Sequence, residues 1–220
     1  MKSSMNPLSF NMRPLLKTTA FALLLLTLTA THSFAQSSLQ WGLKGGGNYF
    51  KVGGRSFDNT YYSSFSAGAY ADLNYTAHWT IRGELLWNQT IAKTSAEFSN
   101  IYAGYGPVSY QQVYLNYVTI PILATFKPIP ELSILLGPQY GFLVDQTTGL
   151  LQQSPQKAFS RSDFSLIFGG ELNVGKVKFG LRYSEGLNNI NRINSTDSWR
   201  QYGLQAYFAF QIKDMKLKKK

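Results

Sequence analysis

A two-residue periodicity, recurring along most of the chain, restricts its fold more than any other feature. Over residues 65–75 the odd positions Phe65, Ala67, Ala69, Ala71, Leu73 and Tyr75 are apolar, while Ser66, Gly68, Asp72 and Asn74 fall between them. Successive side chains of a strand point to opposite faces, so this segment has one greasy face and one small or polar face. The alternation returns in Trp79, Ile81, Leu85 and Trp87, and again over residues 164–172, 177–183 and 202–212. Three less regular segments, 39–49, 114–126 and 132–145, raise the expected count to eight strands. Pro121 and Pro138 lie inside two of these, where each removes a ladder donor and predicts a local bulge.

The connections then select the architecture. Three are short: Thr76-Ala77-His78, residues 127–131, and a tight turn at Val174-Gly175. The other four, about residues 50–63, 91–113, 146–162 and 187–200, are long and rich in Ser, Asn, Gly, Gln and Tyr. An even strand count with strictly alternating short and long connections is the pattern of outer-membrane barrels, with tight turns in the periplasm and long loops outside. The expected fold is therefore all-β: an eight-stranded antiparallel up-and-down transmembrane β-barrel.

Which face is greasy separates a membrane barrel from a soluble ligand-binding one, whose lumen would be apolar. The non-apolar face here carries Gly, Ser, Asn and charges, which suits a crowded lumen. Lys44, Arg82 and Arg182 are expected inside against Asp72, Glu84 and Glu171, with Lys178 near the rim. The hairpin through Thr76-Ala77-His78 sets Asp72 opposite Arg82, and one through Val174-Gly175 would set Glu171 opposite Lys178. A nearly neutral cluster is the form in which charges tolerate burial, and it reads as a plug in preference to an ion path. The opposite face ends in Trp41, Tyr75, Trp79, Trp87 and Tyr183, which are expected as interfacial girdles.

Residues 1–35 read as a signal peptide. Lys2, Arg13 and Lys17 form a basic start, residues 20–30 an uncharged run rich in Leu and Thr, and Ser33-Phe34-Ala35 a small-residue cleavage site after Ala35. That run of about eleven residues is too short to cross a bilayer core of roughly 30 Å as a helix. The domain plan is thus a leader over 1–35, a barrel over 36–212 and a basic periplasmic tail over 213–220. There is no cysteine, which rules out disulfides, thiolate metal sites and a lipoprotein anchor. Of the formal net charge of +10, three positive charges belong to the leader and a net four to the last eight residues. Only +3 is left over residues 36–212, with no basic stripe, so nucleic acid is not an expected partner. Membrane lipids are, and the tail or the long loops offer places for a protein partner.

Catalytic, cofactor and metal sites are not expected. His78, the one histidine after the leader, sits in a short turn, away from the outer side where barrel hydrolases work. Lys44-Gly45-Gly46-Gly47 lacks the Gly-Lys-Ser/Thr of a phosphate loop, and no long loop has the spaced acids of a calcium site. The loops hold Tyr61, Tyr62, Tyr102, Tyr105, Tyr110 and Trp199 as exposed aromatics, which serve either loop packing or contacts with protein or sugar.

Several phrases resemble the PorT-like outer-membrane β-barrel family of Bacteroidota. They are Trp41-Gly42-Leu43-Lys44-Gly45-Gly46, Tyr117-Val118-Thr119-Ile120-Pro121-Ile122-Leu123, Leu136-Gly137-Pro138-Gln139-Tyr140-Gly141 and Gly180-Leu181-Arg182-Tyr183-Ser184-Glu185-Gly186-Leu187, in that order. The resemblance implies a Gram-negative outer membrane and a "porin family" barrel, with Pro121 and Pro138 as family features. It implies little mechanism beyond the link of the name-giving member to protein secretion. Three roles follow as expectations: a structural or interaction barrel with a filled lumen, a narrow passive pore, or an accessory of a secretion complex.

Overall fold

The structure is a computed structural model and describes residues 37–102, 110–147, 158–193 and 196–217. The leader and its cleavage site lie outside the described residues. Eight strands follow in chain order: β1 (Ser38–Gly53), β2 (Tyr62–Asn74), β3 (Trp79–Lys93), β4 (Gln112–Ile129), β5 (Leu132–Thr147), β6 (Ser162–Val174), β7 (Val177–Gly186) and β8 (Arg200–Lys216). Each pairs antiparallel with its sequence neighbour, and β1 pairs with β8 to close the ring. One helical turn, α1 (Phe98–Ile101), sits in the β3–β4 connection.

Two of the three short connections are held by local chemistry. In the first, the Thr76 hydroxyl oxygen accepts from the backbone amides of His78 (3.2 Å) and Trp79 (2.9 Å), and the Tyr75 amide donates to the Trp79 carbonyl. In the third, Val174 pairs with Val177 and leaves Gly175-Lys176 as a two-residue turn. Gly175 has φ +61°, a left-handed conformation that glycine adopts without steric cost.

The strands alternate as expected, but inside out relative to a soluble barrel. Along β3, Thr80, Arg82, Glu84 and Leu86 are buried while Trp79, Ile81, Leu85 and Trp87 are exposed. Leu43, Ile122, Phe168, Phe179, Leu181 and Phe208 likewise face outward from their strands. Apolar side chains thus form the outer wall, and charged and amide side chains pack the lumen.

Four expectations need correction. The strands run several residues into the expected long loops, with β1 reaching Gly53 and β3 reaching Lys93. No bulge occurs at Pro121 or Pro138. In β4–β5, Ile120↔Tyr140, Pro121↔Gln139 and Ala124↔Leu136 share one register, so the missing donors leave the alignment intact. The shifts lie between Asn116 and Tyr117, between Phe126 and Ile129, and between Trp41 and Gly42 in β1–β8. With the turn at Gly175-Lys176, Glu171 faces Gly180 and Lys178 faces Asn173, so Glu171 and Lys178 are not direct cross-strand partners. Finally, β8 continues through Lys216, which pairs with Ser38 of β1, so the basic segment begins inside the ladder.

Candidate functional site

The lumen is filled by two adjoining ion-pair groups. In the lower group Arg82 of β3 is the hub. Its Nε and Nη2 donate to Asp72 Oδ1 (2.6 Å) and Oδ2 (2.8 Å) on β2, and its Nη1 and Nη2 donate to Glu171 Oε2 (2.5 Å) and Oε1 (3.0 Å) on β6. Two forked pairs on one guanidinium use the planar geometry that makes arginine suited to carboxylates. Lys178 of β7 donates to Asp72 Oδ2 at 2.6 Å and lies 3.7 Å from Glu171 Oε1. Its ammonium thus reaches across the lumen although its strand position faces Asn173.

In the upper group Lys44 of β1 donates to both oxygens of Glu84 (2.8 and 3.1 Å), and Arg182 of β7 donates through Nη1 to Glu84 Oε2 at 2.7 Å. Arg182 Nε also donates to Gln205 of β8. All seven residues expected to charge the lumen, Lys44, Asp72, Arg82, Glu84, Glu171, Lys178 and Arg182, are buried in these two groups. Each carboxylate meets two cations, which offsets the several kcal/mol that each buried ion would otherwise cost in desolvation.

Two tyrosines that the alternation did not single out complete the plug. The Tyr207 hydroxyl donates to Glu171 Oε2 at 2.8 Å, and its ring lies 3.4 Å beneath the Lys44 ammonium. The Tyr70 ring sits 5.0 Å from the Arg82 guanidinium and 5.2 Å from Lys178. Both tyrosines share the strand parity of lumen residues, Tyr70 with Asp72 and Tyr207 with Gln205, and that parity was the available cue. Above them an amide layer is centred on Gln205 Nε2, within hydrogen-bond distance of Asn48 Oδ1, Ser66 Oγ and Asn88 Oδ1.

At the long-loop end a second, apolar core closes the barrel, and all four long connections contribute to it. Phe57 comes from β1–β2, Phe98 and Tyr102 from β3–β4, Phe159 from β5–β6, and Ile190 and Trp199 from β7–β8. Trp199 is fully buried, with ring centroids 4.9 Å from Phe57, 5.2 Å from Phe159 and 5.8 Å from Tyr102. The expectation that Tyr102 and Trp199 are exposed is therefore wrong, because these loops fold onto one another and bury their rings. Tyr110 is exposed, Tyr61 stacks on Tyr49 at 5.2 Å, and Tyr105 lies outside the described residues.

Asp197 ties the cap together. Its Oδ2 accepts from the Ser56 amide (2.8 Å), the Ser56 hydroxyl (2.6 Å) and Trp199 Nε1 (3.2 Å). Burial alone would raise this carboxyl, but the Ser56 hydroxyl and amide, with the Trp199 indole, hold it below the usual carboxylate range. Asn191 Nδ2 adds bonds to the Tyr102 hydroxyl and to the Asp197 carbonyl.

The outer wall carries the five expected girdle residues in the open. Trp41, Tyr75 and Trp79 lie at the short-turn end, and Trp87 and Tyr183 toward the long loops. His78 sits at the short-turn end, with Nδ1 2.9 Å from the Lys127 carbonyl oxygen, so it ties the first turn to the end of β4.

An apolar wall around an ion-paired lumen, with every strand edge closed, is the construction of a transmembrane β-barrel, because a bilayer leaves no backbone group to water. Residues 34–192 match the family described as "Outer membrane protein beta-barrel domain", and the chain belongs to that family of outer-membrane barrels. Among solved structures it is similar to Ail, the attachment invasion locus protein of Yersinia pestis, with 12% identity over 79% of this chain and 98% of that one, at a TM-score of 0.44. It is also similar to Neisserial surface protein A, with 14% identity over 81% and 98% of the two chains, at a TM-score of 0.43. No curated protein matches the sequence.

Proposed function

We propose that this outer-membrane barrel is a structural or interaction protein that works through its outer loops, with a lumen that carries no solute. The observation that carries this reading is the double closure of the lumen. Arg82 and Glu84 anchor a charged plug, and Trp199 anchors an apolar cap above it. A narrow passive pore would need a hydrated path past both, and the buried side chains of Arg82, Glu171 and Trp199 occupy that section. The ion pairs then serve stability. The five girdle aromatics set the depth of the barrel in the lipid. The phrases shared with the PorT-like group support a place in that subfamily, and the leader supports export with cleavage after Ala35.

Conductance in planar bilayers tests the reading. The folded mature protein is expected to give no steady single-channel steps, whereas reproducible steps that vanish on widening the plug with bulkier side chains would establish a pore. Pull-down with the intact loops against a loop-trimmed barrel then tests the interaction role.

A further inference from the structure

The seam between β1 and β8 breaks the alternation once, and the break decides which side of the wall the last residues face. Along β8 the even positions Leu204, Phe208, Phe210 and Ile212 are exposed on the outside, so an unbroken period would turn Lys213 inward. Instead Gln211 pairs with Gly42 and Lys213 with Trp41, which leaves Ile212 as an extra residue in the ladder. A one-residue shift moves every following side chain to the other face, and a bulge is a device that re-aims one.

The shift sorts the charges that follow it. Opposed residues of an antiparallel pair share a face. Trp41 is exposed on the outer wall at the short-turn end, so Lys213 stands beside it on the lipid-facing side and is itself exposed. Asp214 pairs with Gln40, which shares its face with the lumen residue Asp72, and Gln40 Nε2 donates to Asp214 Oδ2 at 2.9 Å. The acid is thus turned inward and engaged, and the base outward. Lys176, exposed in the β6–β7 turn, adds a second ammonium to this rim: its carbonyl accepts from the Gln211 amide at 2.8 Å, two residues before Lys213. Glu131, the remaining acid of this end, sits in the second turn, where its carbonyl accepts from the Asn173 amide. The six salt bridges among the described residues all lie in the lumen, so within that set neither Lys176 nor Lys213 meets a carboxylate.

A girdle tryptophan marks the headgroup level of a bilayer. A lysine beside it lays its stem along the wall and holds its ammonium at the depth of the lipid phosphates. Short turns face the periplasm in outer-membrane barrels. We propose that Lys213, beside Trp41 and supported by Lys176, binds the phosphate of an anionic phospholipid in the periplasmic leaflet. The bulge at Ile212 makes the site, since an unbroken ladder would put Asp214 on the lipid face in place of Lys213.

Native mass spectrometry of the folded barrel, released from detergent with equal amounts of phosphatidylglycerol and phosphatidylcholine, tests this. Gel migration before and after heating first establishes that each variant is folded. In the wild type the singly lipidated species is expected to favour phosphatidylglycerol about fivefold, the factor one basic residue contributes at an anionic lipid surface. Lys213→Gln is expected to bring the ratio close to one. Lys216→Gln removes the same charge from a residue that pairs with Ser38 and shares the inner face of Gln40, and the ratio should stay at the wild-type value. An absent preference in the wild type overturns the proposal, as does a ratio that survives Lys213→Gln or falls equally in both variants.

Discussion

Asp72 and Arg82 face each other across β2 and β3 and close two hydrogen bonds of 2.6 and 2.8 Å, while the far side of the same guanidinium holds Glu171 on β6. One side chain therefore braces the barrel across its diameter as well as along one hairpin.

Removing that brace leaves two carboxylates facing a single lysine. Arg82→Ala is expected to cost about 3–5 kcal/mol, the range for stripping one partner from a buried ion pair. Urea unfolding in lipid vesicles, read by the gel shift between folded and unfolded forms, measures it; an unchanged midpoint would show that the pairing adds no stability.

The cap should fail separately from the wall. Trp199→Ala removes the ring that Phe57, Phe159 and Tyr102 pack against, a truncation that costs about 3–5 kcal/mol in a packed core. Because the cap is built from loops, the loss is expected as local opening. Protease should cleave the long connections while the barrel keeps its heat-modifiable migration.

Acid should loosen the same cap. Asp197 is held below the usual carboxylate range, so its ionised form stabilises the cap at any pH above that range. The contribution declines as pH falls through the ordinary carboxylate range toward the lowered value. Loop proteolysis of the wild type is expected to rise below about pH 4, the ordinary carboxylate range. Asp197→Asn should be cut readily at neutral pH and show a flatter pH profile.

Two strand glycines should respond unequally to the same change. A Cβ on Gly180 would overlap the Tyr207 ring, which is fixed between Lys44 and Glu171, whereas one on Gly83 meets nothing within 4 Å. Gly180→Ala is expected to destabilise by about 1–3 kcal/mol through overpacking, and Gly83→Ala to stay within about 0.5 kcal/mol of wild type. Melting temperatures of both variants in one detergent compare them directly.

The strands and the parity of the lumen charges were legible because a half-buried wall imposes a strict two-residue period. Register was legible only where a turn was fixed by its own residues. Thr76 pins the first hairpin, and Asp72 meets Arg82 there. The turn at Gly175-Lys176 lies one residue later than Val174-Gly175, and that step moved Lys178 from opposite Glu171 to opposite Asn173. Tyr70 and Tyr207 escaped notice because an aromatic residue reads as lipid-facing until its parity is weighed. The cap around Trp199 had no periodic signal at all, since it is assembled from four loops distant in sequence. Pro121 and Pro138 misled because each needs only to forgo one donor, which an unshifted ladder absorbs.

The seam between β1 and β8 has a consequence for how such a molecule is made. Ser38 pairs with Lys216 and Gly53 with Arg200, so the ring joins the first strand in the order to the last. Until β8 is available, β1 and β7 each present an unsatisfied edge, the kind of surface that recruits strands from other chains. Closure is therefore the most sequence-distant strand pairing of the fold, and the one with the largest loop to close. A chain cut short before residue 200 would carry two open edges and a lumen without Gln205 and Tyr207, and would be a substrate for quality control instead of a smaller barrel.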